Sequence, residues 1–186
     1  MLLQLSVRCF QNGHQINVQF VQDASGMSKI MKSSDRLLWV DYGACLDSDS
    51  FDTLFDKYEV LVYPSVKEGI NWEVFKDRVK QGTDEPVNQV GLDFDTETGK
   101  KISDGIYTVN SSNPAVFVID CGKVIDKVRD RKGQGMNIPS TIEDVFKKFV
   151  QKEVKITAYT KCKVLRHYSH ECVGNILEAI GVSCKE

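Results

Sequence analysis

The stretch "AVFVIDCGKVIDKV", residues 115–128, decides the fold class that we predict from the sequence. Two short apolar runs flank the dipeptide "CG", and such a pair of runs around a glycine-containing turn is typical of a β-hairpin. The two strands of a hairpin pair antiparallel. We therefore predict a sheet that is mostly antiparallel.

Further strands are predicted on both sides of this hairpin. "QINVQFV" at 15–21 alternates apolar and polar residues, a pattern that favours a strand with one buried face. Its expected hairpin partner is "RLLWVDYG" at 36–43, and "MLLQLSVRCF" at 1–10 is interpreted as the first strand. The remaining predicted strands are "EVLVY" at 59–63, "VGLDFDTETGKKI" at 90–102 as strand, turn and strand, and "EVKITAYT" at 153–160.

Helical spacing of apolar residues predicts the other elements. The segment "WEVFKDRVKQ" follows Asn71, a suitable N-cap, and precedes Gly82, which suits a helix C-terminus. Apolar residues at i, i+3, i+4 and i+7 indicate another helix, which follows a short segment of serine and aspartate residues. The predicted helices lie at 51–58, 72–81 and 141–150, with a last one after Cys172.

These elements predict an α+β protein with a mostly antiparallel sheet and a C-terminal helix that bears Cys172. A chain of 186 residues is long enough to bury a sizeable core in one domain. We interpret residues 1–186 as a single α+β domain, and the segment 82–150 as a candidate inserted subdomain.

Composition excludes several classes of protein. Apolar residues make up 41% and charged residues 27% of a chain with a formal net charge of -2. We expect no nucleic-acid binding, because a phosphate-tracking surface carries a basic excess. No run is long enough for a membrane span, and the start lacks the features of a signal peptide. The expected location is intracellular (cytoplasmic) or within a virion, with six reduced cysteines and no disulfide framework.

The stretch "HYSHECVGNILEAIGV" at 167–182 places Cys172 where an apolar helix begins. A thiol becomes a nucleophile when its pKa falls, and a helix N-terminus together with a nearby imidazole lowers that pKa. His14, at the head of a predicted strand, is the candidate general base. Asp41, on the neighbouring predicted strand, is the candidate residue for orienting the imidazole ring.

The order of these residues resembles that of the circularly permuted papain-like superfamily. This group contains cell-wall amidases, lecithin-retinol acyltransferase-like enzymes and small phage-encoded members. Their histidine strand comes first, a strand with a W-x-x-D-like motif follows, and the cysteine lies on a late helix. Here the matching pieces are His14 with "INVQFV", then Trp39 and Asp41, then "CV" and "IGV" in the last stretch. The resemblance covers about 60 residues in two pieces.

The resemblance implies a thiol-dependent amide hydrolase or acyl transferase that needs no cofactor. Cys172 would attack the acyl carbon of a peptide or acyl substrate, and His14 would accept the thiol proton while Asp41 holds the imidazole. Backbone N–H groups at the start of the cysteine helix would stabilise the oxyanion. The competing class is a non-catalytic structural or binding protein, for instance a virion component. Its cysteines would be inert and its partners would be other protein subunits.

A zinc-binding module is a further alternative for the same stretch. Cys162, His167, His170 and Cys172 lie within eleven residues, and thiolate with imidazole is zinc-binding chemistry. The spacing differs from that of zinc modules, whose paired ligands are two to four residues apart on a turn. A solvated loop with histidines is the competing interpretation.

The string "LDFDTETG" at 92–99 resembles the first motif of the proofreading exonucleases, in which Asp95 and Glu97 would bind two metal ions. That chemistry needs further carboxylates downstream, and no aspartate follows Asp144. We instead interpret the string as a hairpin whose turn lies at Thr98 and Gly99. Weak calcium binding by its acidic residues, which include Asp93, stays an alternative.

A resemblance to the closing hairpin of thioredoxin-like proteins lies around Pro114, which would be the cis proline before the strand. Cys45 follows a strand in the manner of a redox cysteine. The sequence contains no C-x-x-C motif, so dithiol exchange of the usual kind is excluded. A non-catalytic thioredoxin-like unit stays open.

Overall fold

A computed structural model describes residues 1–67, 69–82, 90–129 and 137–166 of the chain. Six strands form a mixed sheet in the order β1-β6-β3-β7-β5-β4, and two short strands, β2 and β8, form a second sheet. The strands are β1 (Arg36–Val40), β2 (Ala44–Leu46), β3 (Val60–Tyr63), β4 (Thr96–Ser103), β5 (Ile106–Ser112), β6 (Val116–Asp120), β7 (Ile156–Tyr159) and β8 (Val164–Arg166).

Most neighbouring strands pair antiparallel, as predicted. The pairs β1–β6, β3–β6, β5–β7, β4–β5 and β2–β8 are antiparallel, and β3 with β7 is parallel. The predicted fold class, an α+β protein with a mostly antiparallel sheet, is therefore confirmed. None of the helices in the described ranges combines the length and apolar composition needed to cross a bilayer.

The helices are α1 (Leu2–Gln11), α2 (Met27–Met31), α3 (Trp72–Gln81), α4 (Cys121–Val128) and α5 (Ile142–Gln151), with 3-10 helices at Ala24–Gly26 and Ser48–Phe55. The predictions of α3 and α5 are confirmed. The side chain of Asn71 accepts a hydrogen bond from Val74 N, and Gly82 ends α3 in the left-handed conformation. Ser48–Phe55 covers much of the helix predicted at 51–58 but is 3-10.

The core lies on both faces of the central strands β3 and β6, whose residues are almost all buried. Successive side chains of a strand point to opposite faces. On one face Val60, Val62 and Phe117 pack with apolar residues of α2, α4 and α5. On the other face Leu61 and Tyr63 pack with α1 and the 3-10 helix Ser48–Phe55.

The stretch 115–128 forms a strand and a helix, so the predicted hairpin is wrong. β6 ends at Asp120, whose side chain accepts a hydrogen bond from Lys123 N and caps α4. Buried Cys121, Val124 and Val128 have helical spacing and pack into the core. The cis peptide bond expected at Pro114 is wrong too, since no cis peptide bond occurs in the described ranges.

Two predicted N-terminal strands are also wrong. Residues 1–10 lie mostly in α1, which buries Leu5 and Cys9 one turn apart. Residues 14–21 are exposed and belong to neither sheet. A helix can bury one stripe of an apolar segment and leave the rest in solvent, so the apolar character of residues 1–10 did not distinguish helix from strand.

The segment 82–150 contributes β4, β5 and β6 to the central sheet, and β6 lies between β1 and β3. The division of the chain into a domain with an inserted subdomain stays a prediction. The turn between β4 and β5 is at Asp104 and Gly105, where Gly105 has a φ of 76°. The turn predicted at Thr98 and Gly99 is wrong, because both residues lie within β4.

Candidate functional site

Asp41 lies directly after β1 and next to the end of β8. Its backbone N–H donates to Ala115 O across 2.8 Å, which fixes it beside the start of β6. Its carboxylate accepts a hydrogen bond from Trp39 Nε1 at 2.7 Å, and Arg166 NH2 lies 3.7 Å from the second oxygen. Arg166 is paired with Ala44 in the β2–β8 sheet. The carboxylate is therefore held by a neutral donor and a cation.

His14 lies elsewhere on the surface. Its exposed imidazole stacks on Phe55, with ring centroids 4.5 Å apart and planes 13° from parallel. Its backbone N–H donates to Cys9 O at 2.9 Å, so the chain leaves α1 there. Among the described residues the imidazole makes no hydrogen bond, and the structure does not join it to Asp41, whose carboxylate contacts Trp39 and Arg166.

The predicted nucleophile, Cys172, lies outside the described residues, as do His167 and His170. Of the four zinc ligands proposed from the sequence, Cys162 is the one within the described ranges. Its thiol donates to Tyr159 O at 2.9 Å. The described residues contain no group of three or more histidine, cysteine or acidic side chains that could hold a metal ion. The zinc site stays a prediction.

The described cysteines are free thiols, and three of them are poor nucleophiles. Burial raises the pKa of Cys121 to about 12, and the Asp120 carboxylate adds to the effect. Burial also raises the pKa of Cys162 to about 12, with a further contribution from Asp47. The pKa of Cys9 is raised by burial too. Since the thiolate is the reactive form, the raised pKa values make these three thiols less reactive near neutral pH than an ordinary cysteine.

The acidic string 92–99 is used within the protein. Buried Asp95 accepts hydrogen bonds from Ser65 N at 3.1 Å, from the Ser65 hydroxyl and from Thr96 Oγ1 at 2.9 Å. Asp93 accepts from Asn71 Nδ2 at 3.1 Å, whereas exposed Glu97 accepts from Ser111 Oγ at 3.1 Å. Each carboxylate has a separate set of protein donors. This arrangement fits a role in joining β3 to β4 and gives no support to a shared metal ion.

A surface that the sequence reasoning missed lies on the outer side of α1. We call Leu3, Val7, Phe10 and Ile16 the N-terminal apolar surface; all four are exposed, Phe10 to 84%. The three helical residues fall at i, i+4 and i+7 and therefore share one face. Val7, Phe10 and Ile16 line an open groove of about 580 Å³ together with Ser6, His14 and Gln15.

The sequence did carry a signal for this surface. Leu5 and Cys9 fall one turn apart, and Leu3, Val7 and Phe10 have the same helical period on another face. A helix with two apolar faces can bury one of them and leave the other free. The first face packs against the 3-10 helix residues Phe51 and Leu54 in the core, so the second is left in solvent.

No protein-family model matches the chain, and no curated protein matches it significantly.

Proposed function

We propose that this chain is a non-catalytic binding or structural protein that contacts a protein partner through its N-terminal apolar surface. The observation that carries the proposal is the exposure of Leu3, Val7, Phe10 and Ile16, of which the last three line one groove. Contiguous exposed apolar patches are uncommon on soluble monomers and are typical of interaction sites. Aromatic residues such as Phe10 are enriched in the centres of interfaces.

The arrangement of polar groups supports the same proposal. Asp41 is paired with Arg166 and Trp39, and Asp95 is buried among hydroxyl and amide donors. Groups already satisfied by structural partners are less available for acid–base work. The raised pKa values of Cys9, Cys121 and Cys162 support inert thiols in this part of the chain. The free thiols also support the proposed intracellular or virion location.

The surface is tested with an environment-sensitive apolar dye such as anilinonaphthalene sulfonate. We expect native protein to enhance the dye fluorescence and Phe10→Glu to remove most of that enhancement. Val150→Glu is the matched control, because Val150 is also exposed but lies on the outer side of α5. Equal enhancement in the parent protein, Phe10→Glu and Val150→Glu would contradict a binding surface on α1.

A thiol-dependent amide hydrolase or acyl transferase is the second candidate. Asp41 contacts Arg166, and Cys172 follows Arg166 by six positions along the chain. The proposed roles are those of Cys172 as nucleophile, His14 as base and Asp41 as the residue that orients it.

Iodoacetamide labelling of native protein at about pH 6 distinguishes the two functions. Cys121 and Cys162, with pKa values of about 12, should not react under these conditions. A binding protein with inert cysteines should show uniformly slow labelling of all its thiols. Rapid labelling that maps to Cys172 and disappears in Cys172→Ser would favour the enzyme. In that case His14→Gln should slow the reaction if His14 is the base.

A further inference from the structure

Residues 15–22, "QINVQFVQ", are exposed and lie outside both sheets. Their backbone N–H and C=O groups make no hydrogen bond with any residue in the described ranges. Backbone donors and acceptors are nearly always paired in folded proteins, with water or with another strand where the chain is exposed. Within the described part of the chain, this segment therefore has no strand partner.

The side chains of this segment have the pattern of a strand. Ile16, Val18 and Phe20 alternate with polar residues, and Phe20 is 93% exposed. β-Branched and aromatic residues favour strands. The alternation needs a partner to bury its apolar side, and the two sheets of the described chain provide none.

The segment also lacks the charges that normally prevent strands from associating. No lysine, arginine, aspartate or glutamate occurs between Arg8 and Asp23. Natural edge strands carry such charges, prolines or bulges to avoid pairing with other chains. A neutral segment of high β propensity, without proline or glycine, is prone to pair with its own copy, since no like charges oppose each other.

We propose that residues 15–22 form an intermolecular antiparallel strand pair with the same residues of a second copy of this chain. This inference rests on the proposed binding function and identifies the partner as a second copy. A two-fold register centred on Val18 places Ile16 opposite Phe20 of the other copy. Side chains directly opposite each other in an antiparallel pair lie on one face. Ile16, Val18 and Phe20 therefore share one face, and Asn17, Gln19 and Val21 share the other.

The N-terminal apolar surface supplies the additional area that such a pair needs. An isolated two-stranded ribbon is marginally stable in water. Ile16 belongs to both features, since it lines the groove with Val7 and Phe10. Pairing at 15–22 would bring the two α1 surfaces close to the ribbon. We expect a dimer whose population depends on protein concentration, as mass action requires.

Sedimentation velocity over about a hundredfold range of protein concentration tests the proposal. We expect a shift from monomer to dimer in the parent protein. Val18→Pro removes a backbone donor at the centre of the ribbon and should weaken the dimer about tenfold or more. Phe20→Lys should weaken it as well, because it replaces the apolar side chain opposite Ile16 of the other copy with a charged one. Val150→Lys, at an exposed apolar position on α5, should leave the dimer unchanged.

Amide hydrogen exchange provides the readout specific to strand pairing. Exchange within residues 15–22 should slow as the concentration of the parent protein rises and should stay fast in Val18→Pro. A dimer without this protection would overturn the proposed strand pair. If the chain stays monomeric but still enhances the dye fluorescence in a way that depends on Phe10, the partner is not a second copy. The proposed binding function would then still stand. A monomer without dye enhancement would contradict both.

Discussion

The indole N–H of Trp39 donates a hydrogen bond to Oδ1 of Asp41 across 2.7 Å. Side chains at i and i+2 of a strand lie on the same face, so the two groups meet at the end of β1. Arg166 NH2 approaches the other carboxylate oxygen at 3.7 Å. The Asp41 carboxylate therefore has two different partners. Trp39 needs only a hydrogen-bond acceptor, whereas Arg166 pairs with the negative charge.

This difference predicts unequal effects for two substitutions of Asp41. Asp41→Asn keeps an oxygen acceptor for Trp39 and loses the ion pair with Arg166, which is partly exposed. We expect it to lower the free energy of unfolding by less than about 1 kcal/mol. Asp41→Ala also leaves the indole donor unpaired and should cost about 1–2 kcal/mol. Urea denaturation measures both; equal costs would mean that the ion pair, and not the hydrogen bond, fixes this residue.

The buried contact between Ser65 and Asp95 predicts a stability effect that depends on burial. Ser65→Ala removes one donor to a carboxylate that is 6% exposed. We expect the free energy of unfolding to fall by about 1–3 kcal/mol. Ser111→Ala is the matched control, since its hydroxyl donates to exposed Glu97. That change should cost less than about 0.5 kcal/mol. If the two variants lost similar amounts of unfolding free energy, burial of Asp95 would not explain the strength of its contact with Ser65.

The sequence determined the class of the fold better than the identity of each element. In the stretch 115–128, β6 was predicted correctly because four of its five residues are apolar and three of these are β-branched. Residues 121–128 were interpreted as a strand, although Asp120 is a good N-cap and Cys121, Val124 and Val128 fall at i, i+3 and i+7. The glycine after Cys121 favours a turn and the spacing of the three buried residues favours a helix, and in a segment of eight residues neither signal is decisive.

Residues 15–21 show why alternation alone does not predict a sheet. The pattern of Ile16, Val18 and Phe20 is that of a strand, but a strand also needs a partner within reach of its backbone. Whether such a partner exists depends on long-range topology. β1, the expected partner, pairs with β6 instead. A local pattern carries no information about that choice, so the segment stays exposed.

The candidate site could be predicted in part. Asp41 was identified beside Trp39, and these two side chains do meet, as residues two apart on a strand must. The contact with Arg166 joins residues 125 positions apart and depends on the β2–β8 pairing. The raised pKa values of Cys121 and Cys162 depend on burial. Neither the contact nor the burial follows from local sequence.

The position of the β4–β5 turn gives a prediction about Gly105. Its φ of 76° lies in the left-handed region, which a residue with a Cβ adopts at a cost. Gly105→Ala should lower the free energy of unfolding by about 1–2 kcal/mol. Gly105→Asn should cost less, because asparagine tolerates this conformation. Thermal and urea unfolding of both variants provide the measurement, and equal costs would point to a clash with Lys161, which lies against this position.

The lowered pKa of Glu59 predicts that the free energy of unfolding depends on pH. Burial of this carboxyl opposes ionisation, but hydrogen bonds from Lys127 Nζ at 2.8 Å and from Lys155 N at 2.8 Å outweigh it, so the pKa of Glu59 falls below its ordinary value of 4.5. The ionised carboxylate therefore stabilises the folded state above the unfolded pKa, and this contribution is lost as the pH falls through the folded pKa. Glu59→Gln should lower the free energy of unfolding at neutral pH by about 1–3 kcal/mol.

The same linkage requires that the difference between the parent protein and Glu59→Gln shrink as the pH falls below about 4.5. Urea denaturation at a series of pH values from about 7 to about 3 measures it. Glu143→Gln is the control, because Glu143 forms an exposed i,i+4 pair with Lys147 at 2.7 Å. A fully exposed pair contributes little to stability, so its loss should change the free energy of unfolding little at any pH. A Glu59→Gln deficit that persisted unchanged at the lowest pH would mean that packing around the side chain, and not its charge, links β3 to α4 and β7.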